Sequence, residues 1–478
     1  MSCEGANIKD YGAVGTVNPA NEAADTAALL AARAASDRVC IPPGDYYFST
    51  TADIGAHQSL VGAGEGITRI HYSGSGNAVY MGAPGSTQLI YNCELRDMSI
   101  HCTNRAATVN GVYLDNCVYF NVQNLTVIGS GSPNSSTPAD RVLYGAGLML
   151  SNNTIIGRVS KVSCRIWNMG YYFKTLSGSQ SFWTAAIQVD GEGELGNNMA
   201  GIVVGDGAIP YYTAVGVTFA NLCIQGNYTV GVQINTGDNT VFDNVYCEGN
   251  ANYDFLVGST LGAPAPIGIK IINCPMNSES IGTTPYGNFP YLAKVKVVAG
   301  IGTIVESNNM SISTAIPLVS IAAAAETTMV KQNRLNSTAA SNARIANASA
   351  TTVTADNYPE APRVKVGSFT RLLSGATGHV SYTGLGFRPT SIEFTAAVDT
   401  SNEFCMGFAD AQAGRCLTSD SASSKVSSGD CIRIIRVGGG NEQKAVLVSF
   451  DADGFTLAWT LVGAPPANDL VVNYVARR

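Results

Sequence analysis

Apolar and polar residues alternate through most of the chain in short runs, each closed by glycine or asparagine. Alternation with a period of two reads as half-buried β-strand, and the Gly and Asn breaks read as tight turns. The pattern also returns. Gly-Val-Tyr-Leu-Asp at 111–115 is followed by Gly-Leu-Met-Leu-Ser at 147–151, Gly-Tyr-Tyr-Phe-Lys at 170–174, Gly-Ile-Val-Val-Gly at 201–205 and Gly-Val-Gln-Ile-Asn at 231–235. Tyr-Asp-Phe-Leu-Val at 253–257 continues the series. A second strand follows each of the first five, at 124–127, 161–164, 186–189, 221–224 and 244–247. Two or three strands recurring every ~22 to 36 residues are the signature of a parallel β-helix, a solenoid of stacked coils. Crossover chirality predicts a right-handed coil.

The elements divide the chain. Residues 1–36 predict an N-terminal strand and a helix at 21–35 that caps the solenoid, with Glu22 and Asp25 in the first turn and Arg33 near the end, as the helix dipole favours. The β-helix is expected over 37–358 and a linker at 359–362, where two prolines bracket Glu360 and Ala361. From 363 to 478 the strands become amphipathic and more evenly spaced, which predicts a C-terminal antiparallel β-sandwich. The fold class is therefore all-β.

Composition narrows the function. Only 13% of residues are Asp, Glu, Lys or Arg, against roughly 25% in an average soluble protein, as expected where strands pair edge to edge and bury their inner faces. A net charge of −7 argues against nucleic acid as a partner. No apolar stretch is long enough for a membrane-spanning helix, and the first residues lack the basic and apolar regions of a signal peptide. The 12 cysteines form no CxxC pair and the chain has 4 histidines, so neither a structural metal nor another cofactor is expected. Most cysteines are expected to pack reduced, as small hydrophobes, with a disulfide framework as the alternative.

The segment at 7–15 with 25–29, then Val39–Tyr47, 59–68 and 94–100, resembles in order the opening elements of the pectate-lyase-like β-helix superfamily. Within that superfamily the arrangement resembles bacteriophage tailspike depolymerases, and the segment at 384–474 is similar to C-terminal domains of phage tail proteins. The resemblance implies a homotrimer on the virion, attached to a phage tail or baseplate protein. It would be made in the host cytoplasm and act outside the cell on bacterial surface polysaccharide, capsule or O-antigen. The superfamily's polygalacturonase motifs do not carry over. Asn235-Thr236-Gly237-Asp238 is a broken version of one, and the others are absent.

Equivalent positions of successive coils lie about 4.8 Å apart, so aligning coils converts sequence into a surface. Aligning the second strands places Arg165, Asp190, Gln225 and Glu248 in one outward column, with Trp167, Glu192, Asn227 and Asn250 in the next. Aligning the first strands places Lys174, Gly205 and Asn235 together, Asp206 beside them and Asp238 in a turn. Asp190 and Glu248 would then stand about 9.6 Å apart, near the spacing of an inverting glycosidase pair. They are the expected acid and base, with Glu192, Asp206 and Asp238 as further candidates. Arg165, Lys174 and Gln225 would hold substrate, and Trp167, Trp183, Tyr211 and Tyr212 offer faces for sugar rings. The expected function is glycoside hydrolysis. The alternatives are a polysaccharide lyase, with Lys174 or a tyrosine as base, and an adhesin that binds glycan without cleaving it.

Overall fold

The helix Glu22–Ala35 lies across the end of the solenoid with Ala28, Leu29 and Ala32 fully buried. Asp25, also buried, ties it to the first coil by accepting from the backbone N–H groups of Val14 (2.7 Å) and Tyr47 (3.1 Å). Every residue is described in the computed structural model except 1–3, 105–107, 131–144, 175–183, 207–212, 260–262, 278–290, 313–314, 338–343, 358–363, 400–401, 420–423, 437–439, 452 and 478. The chain separates into two compact units, Met1–Pro359 and Glu360–Arg478.

The first unit is a parallel β-helix. Its first face is an 11-stranded parallel sheet among the described residues, including Ala146–Ser151, Met169–Lys174, Ala200–Val204 and Val230–Ile234. A parallel sheet of 24 strands among the described residues wraps the other two faces. In the coil that follows Met169–Lys174, Thr184–Asp190 supplies the second face and Glu194–Gly196 the third. Between these two faces the chain turns a narrow corner through a residue with positive φ. Lys161, Glu192, Asn221, Asn244 and Asn273 occupy successive coils there, with φ between 52° and 58°. Asparagine tolerates this conformation better than other non-glycine residues, which explains the Asn punctuation of the sequence.

The recurring glycines open the first-face strands because no side chain fits. A Cβ on Gly111, Gly170, Gly201 or Gly231 would stand 2.5–2.7 Å from a carbonyl oxygen of the next coil. Gly201→Ala would meet Gly231 O at 2.6 Å and Ile224 Cγ2 at 2.7 Å. Overpacking of this kind costs about 1–3 kcal/mol, so Gly201→Ala should lower the melting temperature. A melting curve matching the wild type would refute that account of the repeat.

Inside, apolar side chains stack from coil to coil. Phe219 and Phe242 are parallel at 4.7 Å, flanked edge-on by Phe173 (5.3 Å) and Phe255 (5.4 Å). Trp167 is fully buried, its Nε1–H donating to the Val127 carbonyl at 3.2 Å. The expected outward aromatic is thus part of the core. Beneath it runs a buried asparagine ladder. Asn198 Oδ1 accepts from Trp167 N, Asn227 Oδ1 from Asn198 N, and Asn250 Oδ1 from Asn227 N and Nδ2. The ladder ends on Asp254, whose Oδ1 accepts from Asn250 Nδ2 at 2.9 Å and whose Oδ2 meets Lys294 Nζ at 2.9 Å. Both members of that ion pair are inaccessible to solvent. A second ladder of Asn308, Asn333 and Asn357 occupies the corner between the second and third faces.

Among the described residues the second unit pairs a six-stranded with a four-stranded antiparallel sheet over Phe394, Phe455, Leu457 and Trp459. The residues 359–362 expected to form a linker lie outside the described residues. Among described cysteines, ten carry free thiols, all but Cys223 buried, and Cys40 is disulfide-bonded. No described helix is long and apolar enough to cross a membrane, and no cluster of three or more metal-ligating acids, histidines or cysteines occurs among the described residues.

Candidate functional site

The second face carries a groove whose cause is a taper in side-chain size. Where the chain enters this face, each coil places one residue with positive φ at the same point. Successive coils put Tyr119, Ile156, Ala186 and Gly216 there, with φ between 52° and 61°. Large, medium, small and absent side chains thus follow one another along the axis, leaving an open groove of about 470 Å³ past Ile156. Tyr119 is 54% exposed and Ile156 45%. Arg158, Gln188 and Thr218, paired in register across three coils, also line it.

Two residues further along the strands the outward column reads Ser160, Asp190, Ala220, Asp243. The Asp190 carboxylate meets Arg158 Nη2 with both oxygens, at 2.9 and 3.2 Å. Asp243 accepts from Asn273 Nδ2 at 2.9 Å. At one strand spacing per coil the backbone positions of Asp190 and Asp243 are about 9.6 Å apart. The methyl of Ala220 between them leaves that interval open.

The expected column of Arg165, Asp190, Gln225 and Glu248 does not form. Arg165 pairs with Gly196, Gly196 with Gln225, and Gln225 with Glu248, all on the third face. Asp190 lies before the corner and those residues after it, so Asp243, not Glu248, stands two coils from Asp190. Glu192 does not join Asn227 and Asn250, and those two face inward with Asn198. Glu192 projects at the corner itself, 3.8 Å from Lys161. Lys174, Gly205 and Asn235 do share a column, Asn235 Nδ2 donating to the Gly205 carbonyl at 2.9 Å. Lys174 sits over the Tyr172 ring, 5.7 Å from its centre, and burial first, then the charge of Asp206, pushes the Tyr172 hydroxyl up. Asp238 accepts from Asn239 Nδ2 at 2.8 Å. Trp183, Tyr211 and Tyr212 lie outside the described residues.

On the third face, Glu194 bridges Arg165 and the Gln225 amide. Glu248 accepts from the Tyr246 hydroxyl at 2.7 Å. Burial, then Glu194 and Glu248, push the intervening Cys223 thiol up to about 11. The same face carries a second cluster in the first coils. Asp45 receives Arg69 bidentately (2.6 and 2.7 Å) and His71 Nε2 at 2.8 Å, and His71 stacks on Tyr47 and neighbours His101. The Arg69 hydrogen bond, helped by His71 and opposed by burial, draws the Asp45 carboxyl down to about 2. Burial foremost, then the charges of His71 and Arg69, hold His101 below the ordinary histidine value, with Asp45 opposing.

Both shifts favour the form present at neutral pH, so protons bind the unfolded chain more readily. Stability from His101 should be fully present above the ordinary value of about 6.5 and decline as the pH falls below it. The Asp45 contribution is present above about 4 and lost as the pH falls toward 2. Melting temperature against pH should therefore fall in two steps on acidification. His101→Gln should remove the upper step, and an unchanged upper step in that variant would refute the assignment.

No family model matches the chain, and no curated protein matches it. Solved structures do. The tailspike gp61 of Pseudomonas phage phi297 is similar at 11% identity and a TM-score of 0.48, over 100% of this chain and 99% of that one. ORF18 of Geobacillus virus E2 is similar at 14% identity and 0.47, over 97% and 78%. The catalytic unit of a GH87 α-1,3-glucanase from Streptomyces thermodiastaticus is similar at 14% identity and 0.47, over 75% and 69%.

Proposed function

We propose that this chain is a phage tailspike depolymerase that binds and hydrolyses a bacterial surface polysaccharide, with Asp190 and Asp243 as its carboxylate pair. The observation that carries the reading is the column Asp190–Ala220–Asp243 beside the groove. Two carboxyls at ~6.5–9.5 Å leave room for a water on the far side of the sugar from the leaving oxygen, as inversion requires. Asp190, ion-paired with Arg158, suits the base that draws a proton from that water. Asp243, whose partner is a neutral amide, suits the acid that protonates the departing oxygen. Gln188 and Thr218, on the groove wall, are positioned to orient hydroxyls.

A panel of purified capsular and O-antigen polysaccharides tests this. Falling viscosity with new reducing ends and no ultraviolet-absorbing product is the expected result. An unsaturated uronate product would establish a lyase instead. Binding with unchanged viscosity would establish an adhesin.

Assembly as a homotrimer on a tail or baseplate protein belongs to the same proposal. Its support is the outer face of the six-stranded sheet, where Met406, Leu417 and Val426 pair directly across three strands and are 57%, 40% and 77% exposed. Phe404 and Phe408 flank Met406 on the same face. Contiguous exposed apolar surface marks an interface. Light scattering should give three times the chain mass, and Met406→Glu with Val426→Glu should reduce it to one. A monomeric wild type would overturn the trimer.

A further inference from the structure

We infer that the Tyr119–Ile156 end of the groove is a remote subsite for a neutral pyranose, and that the polysaccharide lies along the solenoid axis on the second face. The inference rests on the proposed function and adds the substrate class and the residues that select it.

The direction follows from the taper. Tyr119, Ile156, Ala186 and Gly216 stand in four consecutive coils, and the interval between Asp190 and Asp243 falls at the coil of Gly216. Tyr119 therefore lies three coils from the reacting position, on the order of 14 Å. A pyranose is about as long as one coil is tall, so a chain reaching Tyr119 spans several sugars. Its distant ring meets an exposed phenol and an isoleucine, surfaces that suit the C–H face of a sugar.

Charge selects the ring. Among the described residues Arg158 is the one charged residue lining the groove, and its Nη2 donates to both Asp190 oxygens. Asp190 balances the Arg158 charge, so the described lining offers a uronate or sialic acid no net positive charge at this end. Gln188 and Thr218 offer neutral donors and acceptors to hydroxyls instead. The subsite therefore favours neutral hexoses or N-acetylhexosamines.

An array of purified bacterial polysaccharides, read as binding and not as cleavage, separates the outcomes. The wild type should bind at least one polymer that contains neutral pyranose residues. Tyr119→Ala should weaken that binding at least about tenfold, while Asp10→Asn, an exposed change near the N-terminus and away from the groove, should bind like the wild type. Undiminished binding by Tyr119→Ala would overturn the subsite and leave the proposed function standing. Binding confined to polymers in which every residue is acidic would overturn the neutral class. Failure of the wild type to bind any polysaccharide on the array would count against both.

Discussion

Asp243→Asn should lower kcat by at least about a hundredfold, the scale on which acid–base catalysis contributes, and Asp190→Asn should do the same. Both side chains stand on the outside of the wall, so neither change empties the core. Asp190→Asn also gives up its pairing with a half-exposed Arg158, and exposed pairs contribute only about 0–1 kcal/mol. Melting temperatures of both variants should stay close to the wild type while turnover collapses. Glu248→Gln is the discriminating comparison. If it, and not Asp243→Asn, abolishes turnover, the catalytic pair lies on the third face.

The largest effect on stability is expected at Lys294. Replacing it with methionine leaves the Asp254 carboxylate in the core with its cation gone, and breaking a buried pair from one side costs about 3–5 kcal/mol. Adding Asp254→Asn should recover much of the loss. It removes the stranded charge and keeps an oxygen for the Asn250 amide that ends the ladder. The melting temperatures should rank wild type and double variant above Lys294→Met. A single variant as stable as the wild type would mean that the pair carries no weight in the core.

The coils and the capping helix were legible because their causes are local. Glycine is required where Gly201 meets the next carbonyl, and Asn221 and Asn244 mark corners that need positive φ. The site was less legible for a reason visible in two residues. Alternation predicts that Arg165 and Trp167 face the same way, but Ile166 between them has φ 67° and reverses the parity, sending Trp167 inward. The corner at Gly191 and Glu192 interrupts the chain in the same manner. Alternation alone places Asp190 with the strands that follow the corner, whereas it ends the strand that precedes it. The usable signal was the residue before the corner asparagine: Ala220 before Asn221 and Asp243 before Asn244. Its counterpart before Gly191 is Asp190.

The narrow corner has a consequence for how such a protein can diversify. From Asp190 onward the chain crosses from second to third face through two or three residues in every described coil, whereas the connections at the other two corners differ widely in length. Differences in length from coil to coil thus fall at the rims. The wall that holds Asp190 and Asp243 keeps one pitch however the rims change. On the proposed function, recognition of a new glycan could then be acquired by exchanging rim segments, with the proposed carboxylate pair staying in register throughout.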